Sequence, residues 1–250
     1  MNKFTKAIAA IMLIVAAIIV TGCNKSDEPN NGGDNNGQND NTIDLSGTLN
    51  GHEWVNLGLP SGTLWATCNV GSEAPDGCGD YFAWGETEPK ASYNWGTYKY
   101  CNGNIHTLTK YCNNSNYGLD GFVDTLTILE AIDDAATANW GAGWCTPSKE
   151  QWQELRNNTT SIWTSLNGKE GQLFSAANGM SIFLPALGYC LNDEVHEFSS
   201  YGDYWSSSLG NDSSYNGVGV WYIYFFSEDY YMYYGSRSWG LSIRPVRSTE

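Results

Sequence analysis

Between residues 43 and 250 short apolar runs alternate with polar, glycine-containing breaks, and their spacing sets the expected elements. Glu53-Trp54-Val55-Asn56-Leu57 alternates roughly at the two-residue period of a strand. Leu59-Pro60-Ser61-Gly62 reads as a turn, 64–67 as a second strand and 80–85 as a third, short one. Residues 86–120 are polar and irregular. Over 125–139, Leu126, Leu129, Ile132 and Ala136 recur at helical spacing, and Trp140-Gly141 ends the run. Thr146-Pro147 is expected to open another helix, with threonine as N-cap and proline in the first position. Trp152 and Leu155 then face the core, and Asn157-Asn158 close the helix. Residues 181–184 form a strand, and from Tyr204 onward several β segments are joined by Gly, Ser and Asn turns. No internal repeat is present. The expected class is α+β, two helices amid small antiparallel sheets.

The first 43 residues follow a different pattern. Lys3 and Lys6 precede an uncharged apolar run over 7–20, and Val20-Thr21-Gly22-Cys23 follows. This order of charge, apolar segment and small residues is that of a secretory signal peptide, here 1–22. The apolar run is short against the roughly 20 residues of a membrane span. The cysteine at the cleavage point resembles the lipobox of bacterial lipoproteins, which implies lipidation of Cys23. Residues 24–41 are rich in Asn, Gly and Asp and contain no large apolar residue. Such a stretch buries too little surface to offset its ordering entropy, so 23–43 reads as a lipidated cysteine followed by a flexible tether. Asn24 departs from the inner-membrane retention signal, and Lys25-Ser26-Asp27-Glu28 resembles the acidic surface-export signal of Bacteroidetes lipoproteins. The implied location is the outer membrane, lipid-anchored at the cell surface.

Charge and cysteine content narrow the function classes. The chain carries a net charge of −15, and ten basic residues face 27 acidic ones once Lys3 and Lys6 are set aside. Nucleic acid is excluded as a partner, since phosphate binding needs a basic patch. Eleven Trp, 16 Tyr and 28 Gly suggest a loop-rich domain that binds through its surface. Beyond Cys23 stand Cys68, Cys78, Cys101, Cys112, Cys145 and Cys190, an even number compatible with disulfides in an exported chain. Cys68 with Cys78, Cys101 with Cys112 and Cys145 with Cys190 are one of the 15 pairings that six cysteines allow. No C-x₂-C pair suggests zinc, and His52, His106 and His196 are scattered without a motif. No metal or cofactor is expected. Glu28-Pro29-Asn30 mimics the calcium motif of sugar-binding lectins but falls in the tether.

Several separated blocks carry a family resemblance. They are Val55-Asn56-Leu57-Gly58-Leu59-Pro60-Ser61-Gly62-Thr63-Leu64-Trp65-Ala66, Gly79-Asp80-Tyr81-Phe82-Ala83-Trp84-Gly85-Glu86-Thr87, Asp134-Ala135-Ala136, Asn139-Trp140-Gly141, Trp144-Cys145-Thr146-Pro147, Phe183-Leu184-Pro185-Ala186-Leu187-Gly188-Tyr189, Tyr204-Trp205-Ser206-Ser207-Ser208 and Arg244-Pro245-Val246. In this order, over about 52–247, they resemble the Fibrobacter succinogenes major paralogous domain found in lipoproteins of gut Bacteroidetes. The resemblance implies that 44–250 is a C-type-lectin-like domain, related to the formylglycine-generating-enzyme branch. A second resemblance concerns 206–240, dominated by Ser, Tyr, Gly, Asn, Asp and Phe. It is similar to the variable segment of target proteins of diversity-generating retroelements, whose Asn codons are mutated at adenines. Trp221 and Trp239 do not come from Asn codons and fit that pattern less well, and Trp221 is assigned to the framework.

The same segment holds the candidate site. Residues 201–250 contain 14 of the 35 aromatic side chains. Strand alternation over 218–226 puts Trp221, Ile223 and Phe225 on one face, taken as the core face, and Val220, Tyr222, Tyr224 and Phe226 on the other. Tyr230, Tyr231, Tyr233 and Tyr234 cannot all point inward along one strand. With Tyr215, Asn216, Ser236, Ser238 and Trp239 they complete a Tyr/Ser/Asn surface of paratope-like composition, suited to a protein or glycan ligand. Among acidic residues, Glu86, Glu88, Asp133-Asp134 and Glu228-Asp229 suggest carboxylate pairs for hydrolysis or calcium, but adjacent helical aspartates point apart, and solvated or capping roles are expected. Arg237 and Arg244 are expected to pin the C-terminal strands through internal hydrogen bonds. No catalytic residue is identified. The expected function is a surface-displayed, non-enzymatic binding lipoprotein. The alternatives are a structural or adhesive surface component and a formylglycine-generating-type enzyme, whose redox-active cysteine pair has no matching motif here.

Overall fold

The structure, a computed structural model, describes residues 44–210 and 218–247. Cys23 and the leader and tether expected over 1–43 lie outside the described residues, as do Tyr215 and Asn216. In chain order the strands are β1 (Ser46–Leu49), β2 (His52–Asn56) and β3 (Leu64–Ala66), followed by helices α1 (Ala135–Trp140) and α2 (Lys149–Asn158). Then come β4 (Thr159–Leu166), β5 (Lys169–Ala176), β6 (Ser181–Pro185), β7 (Tyr189–Leu191) and β8 (Glu194–His196). The chain ends with β9 (Gly202–Leu209), β10 (Gly219–Phe225), β11 (Tyr230–Ser236) and β12 (Val246–Arg247). The architecture is α+β, with small antiparallel sheets in the orders β1-β2-β3-β12, β4-β5-β6, β11-β10-β9 and β7-β8. Among the described residues no helix is long and apolar enough to cross a membrane.

Two hairpins turn on Asn-Gly pairs. Asn50-Gly51 links β1 to β2 and Asn167-Gly168 links β4 to β5, all four residues with positive φ. A two-residue hairpin loop of this type needs positive φ at both positions, which Asn tolerates and Gly adopts freely. At the other end of the fold, Val246 pairs with Trp65, which ties the end of the domain to its beginning.

The helices depart from expectation in instructive ways. Residues 125–130 are extended rather than helical. Leu129 N–H donates to Ser207 O and Leu209 N–H to Thr127 O, so this segment runs along β9 and its backbone groups are already paired. Leu126 and Leu129 still pack on the core, but Ile132 is 78% exposed. The true helix starts after Asp134, whose carboxylate accepts from the N–H groups of Ala136 and Thr137, and it ends at Gly141. Thr146 does not cap α2: its N–H and hydroxyl both donate to the Asp134 carboxylate. The cap is Ser148, in a reciprocal box with Gln151, and Pro147 stands ahead of it. Trp152 and Leu155 are buried as expected. Residues 80–85 form no strand: only Phe82 pairs, with Leu241.

The core divides about the β9-β10-β11 sheet. Trp205, Leu209, Val220 and Tyr222 belong to one apolar cluster, with Trp84, Tyr111 and Leu241. Tyr204, Ile223 and Phe225 belong to the other, with Trp65, Trp152 and Phe174. Burying a side chain such as Phe225 stabilises the fold by about 1.5–3 kcal/mol. Both C-terminal arginines are fully buried and act as the sequence suggests. Arg244 donates to Asn69 Oδ1 (2.9 Å), Thr67 O (2.7 Å) and Phe183 O (3.0 Å), joining the ends of β3 and β6 to the last segment. Arg237 donates to Val218 O and Tyr111 O and lies over the Trp84 ring. The six cysteines stand as free thiols, and none of the three expected disulfide pairs is joined.

Candidate binding cleft on the C-terminal sheet

The register of the three C-terminal strands sorts the aromatic residues. Asp203, Tyr224 and Tyr231 lie side by side across β9, β10 and β11, and Trp205, Tyr222 and Tyr233 form the next such row. Neighbouring positions Tyr204, Ile223 and Met232 point to the opposite face. Over Tyr204, Ile223 and Phe225 that opposite face is closed, since Tyr204 stacks with Phe225 and packs against Trp152. The face carrying Asp203 is covered over Trp205 and Tyr222 but opens into a cleft of about 550 Å³. Tyr189, Glu197, Asp203, Tyr222, Tyr224, Tyr231, Tyr233 and Trp239 line it.

Its walls are stacked rings. Tyr189 is sandwiched between Trp239 (5.0 Å) and His196 (5.3 Å). Across from it Tyr224 stacks on Tyr201 at 5.2 Å, and Phe226 continues the row to Tyr231. Tyr222 forms the floor and meets Tyr233 edge to face. The outermost rings, Tyr231 and Tyr233, are 43% and 52% exposed. Tyr231 is fixed by its hydroxyl, which donates to Asp229 Oδ2 at 2.6 Å. Asp229 also closes the β10–β11 hairpin, accepting from Phe226 N–H and Tyr230 N–H, so Glu228-Asp229 is a turn and not a carboxylate pair.

The polar part of the cleft is acidic. Asp203 is 2% exposed, and its Oδ2 is buried without a hydrogen-bond partner. Burial, with the Glu197 carboxylate adding repulsion, pushes the Asp203 carboxyl up to about 8, so it is mostly protonated at neutral pH. The hydroxyls of Tyr189 and Tyr224 are raised too, first by burial and then by neighbours that include Glu197 and Asp203. Among the described residues no lysine or arginine lines the cleft.

The expected patch is thus divided. Tyr224, Phe226, Tyr231, Tyr233 and Trp239 come together around the cleft, and Tyr222 joins them as a buried floor rather than an exposed contact. Tyr230 faces the other way, edge-on to Phe174 and beneath Arg156. Tyr234 also faces away. It packs on Trp221 at 4.0 Å and lines a separate groove of about 410 Å³, where Lys149 Nζ sits 3.6 Å above the Trp221 ring. Trp221 is therefore half-buried at a groove and not in the core. Ser238 is buried and hydrogen-bonded to Ser236 at 2.9 Å, which withdraws it from any surface. Sequence reasoning missed Asp203, Glu197, Tyr189 and Tyr201. The available signal for Asp203 was an acidic residue directly ahead of the apolar Tyr204-Trp205 pair in a strand.

Of the other acidic candidates Glu88 is exposed, while Glu86, Asp133 and Asp134 are internal. Asp133 Oδ2 accepts from Lys110 Nζ (2.5 Å) and the Tyr111 hydroxyl (2.7 Å), and its Oδ1 accepts from the Tyr100 hydroxyl. Burial opposes ionisation there, but these three donors outweigh it and hold the carboxyl below its usual range. Glu86 is likewise buried, paired with Lys90 Nζ at 2.8 Å and accepting from Lys99 N–H. Among the described residues no cluster of three or more His, Cys, Asp or Glu could hold a metal ion. No family model, no curated protein and no solved structure matches the chain.

Proposed function

We propose that this chain is an outer-membrane lipoprotein of C-type-lectin-like fold that displays a binding face to the cell exterior and performs no chemistry. The observation that carries this reading is the aromatic cleft. Eight rings of Tyr, Trp and Phe converge on one sheet face around a partly open volume, whereas behind Tyr204, Ile223 and Phe225 the reverse of the sheet is filled by core. Exposed tyrosines held in rotamers by their neighbours offer large contact area at low entropic cost, the usual physics of protein and glycan recognition. The lipobox-like Cys23 and the Asn/Gly tether supply an anchor and reach. The Tyr/Ser/Asn composition of 206–240 supports a diversified segment, and three of its tyrosines line the open cleft beside Tyr222.

The test uses the full-length chain and arrays of glycans and of bacterial and host surface proteins. The unaltered chain is expected to give a discrete set of positive ligands. A Tyr224→Ala, Tyr231→Ala, Tyr233→Ala triple variant is expected to lose them while keeping its cooperative unfolding transition. Unchanged array binding by the folded triple variant would contradict the reading. Diversification has its own check in the neighbouring DNA: a reverse transcriptase gene and a near-copy of the 206–246 coding segment differing only at adenines.

A further inference from the structure

Asp203 is the feature that aromatic packing does not explain. A buried carboxyl without a partner costs free energy, and folded proteins keep such a group rarely. Here it is buried beneath the stacked rings at the base of the cleft that it helps to line. A second carboxyl, Glu197, stands at the same cleft, and among the described residues no lysine or arginine does. Ring faces carry negative electrostatic potential, so aromatic walls and carboxyls act in the same sense. Glu197 and Asp203 together with the ring faces favour a cation over a neutral ligand.

Resting on the binding-face reading above, we propose that the cleft recognises a cationic amine, an ammonium or alkylated ammonium group seated against Asp203 and Glu197 between the rings of Tyr189, Tyr224 and Trp239. The cation replaces the missing partner of Asp203 Oδ2. Because the free carboxyl holds its proton up to about pH 8, entry of the cation expels that proton to solvent. The groups that share its surroundings are Glu197, Tyr81, Tyr189, Tyr204 and Tyr224, with His196 stacked behind Tyr189. The tyrosines stay neutral across the range of interest because burial raises them, leaving Asp203 to set the pH response.

The experiment is a calorimetric titration of the full-length chain with Nα-acetyl-trimethyllysine amide, whose charge is independent of pH, read together with the indole signal of Trp239 by NMR. Affinity is expected to rise by about tenfold per pH unit from 6 to 8 and then level off, with release of close to one proton below pH 8. The neutral isostere Nα-acetyl-norleucine amide is expected not to bind. Asp203→Asn, which keeps the shape and removes the ionisable group, should lose at least tenfold in affinity and the pH slope. Glu197→Gln should lose less and keep the slope, and His196→Gln should leave the slope unchanged. Choline and a trimethyllysine peptide, tested side by side, separate a small free amine from a protein side chain as source. Equal binding of norleucine amide, or a pH-independent affinity unaffected by Asp203→Asn, would overturn the proposal. Neutral glycans competing at Tyr224 and Tyr231 where amines do not would also overturn it while leaving the binding face intact. Loss of both readings would show as no ligand of any class perturbing the cleft rings.

Discussion

Asp133 lies where the 110–133 region meets the aromatic core, and Asp203 lies at the start of β9. Both are nearly fully buried, at 3% and 2% exposure, yet their surroundings differ in kind. Lys110, Tyr100 and Tyr111 all donate to Asp133, so its charge is retained and its pKa is lowered. Asp203 has a bare buried oxygen, a carboxylate neighbour and a raised pKa. Asp133 is a buried charge whose satisfied hydrogen bonds organise the core, whereas the unsatisfied carboxyl of Asp203 is the group the proposed ligand would pair.

The largest effect should come from breaking the satisfied member. Asp133→Ala leaves the Tyr100 and Tyr111 hydroxyls without their acceptor and Lys110 with Glu130 alone, and is expected to cost about 3 kcal/mol or more in chemical unfolding. Next comes the unsatisfied member, with the opposite sign. The carboxyl of Asp203 titrates higher folded than unfolded, so the stability it contributes is complete below about pH 4 and is lost as pH rises toward 8. Asp203→Asn should therefore stabilise the fold by an amount on the order of 1–3 kcal/mol at pH 8 and change little at pH 4. Asp133 has the reverse dependence, its contribution present above the unfolded carboxylate range and lost on acidification. Unfolding curves of both variants at pH 4 and pH 8 check the two signs together. Smaller again, Tyr233→Ala removes a half-exposed ring and should cost less than about 1 kcal/mol while still weakening ligand binding. Ile132→Ser, at an exposed position once expected in a helix core, should be neutral in both assays.

Periodicity tells the outcome where tertiary contacts agree with it. Alternation along β10 separated Tyr222 and Tyr224 from Ile223 and Phe225 because a strand has one geometry whatever its surroundings, whereas Tyr230 and Tyr234 of β11, grouped with Tyr231 and Tyr233, turn out to face away. Periodicity failed over 125–130, where Leu126 and Leu129 kept helical spacing but the backbone paired with β9 instead. The β4–β5 hairpin was legible in Asn167-Gly168 and was passed over because Thr159–Leu166 has few apolar positions. The cleft itself was half legible. Its outer tyrosines announce themselves by density, but Tyr189, Tyr201 and Glu197 reach it from 189–201, a distance in sequence that only folding closes.

The most direct measurement is a ¹³C NMR titration of the aspartate side-chain carboxyl carbons in the folded chain, with Asp203 and Asp133 assigned by their Asn variants. The account requires Asp203 to titrate near pH 8 in the free protein and to lose that step when an alkylated ammonium ligand is bound, while Asp133 titrates below the ordinary carboxylate range in both states. An Asp203 carboxyl that titrates near pH 4, indistinguishable from an exposed aspartate and indifferent to ligand, would contradict it.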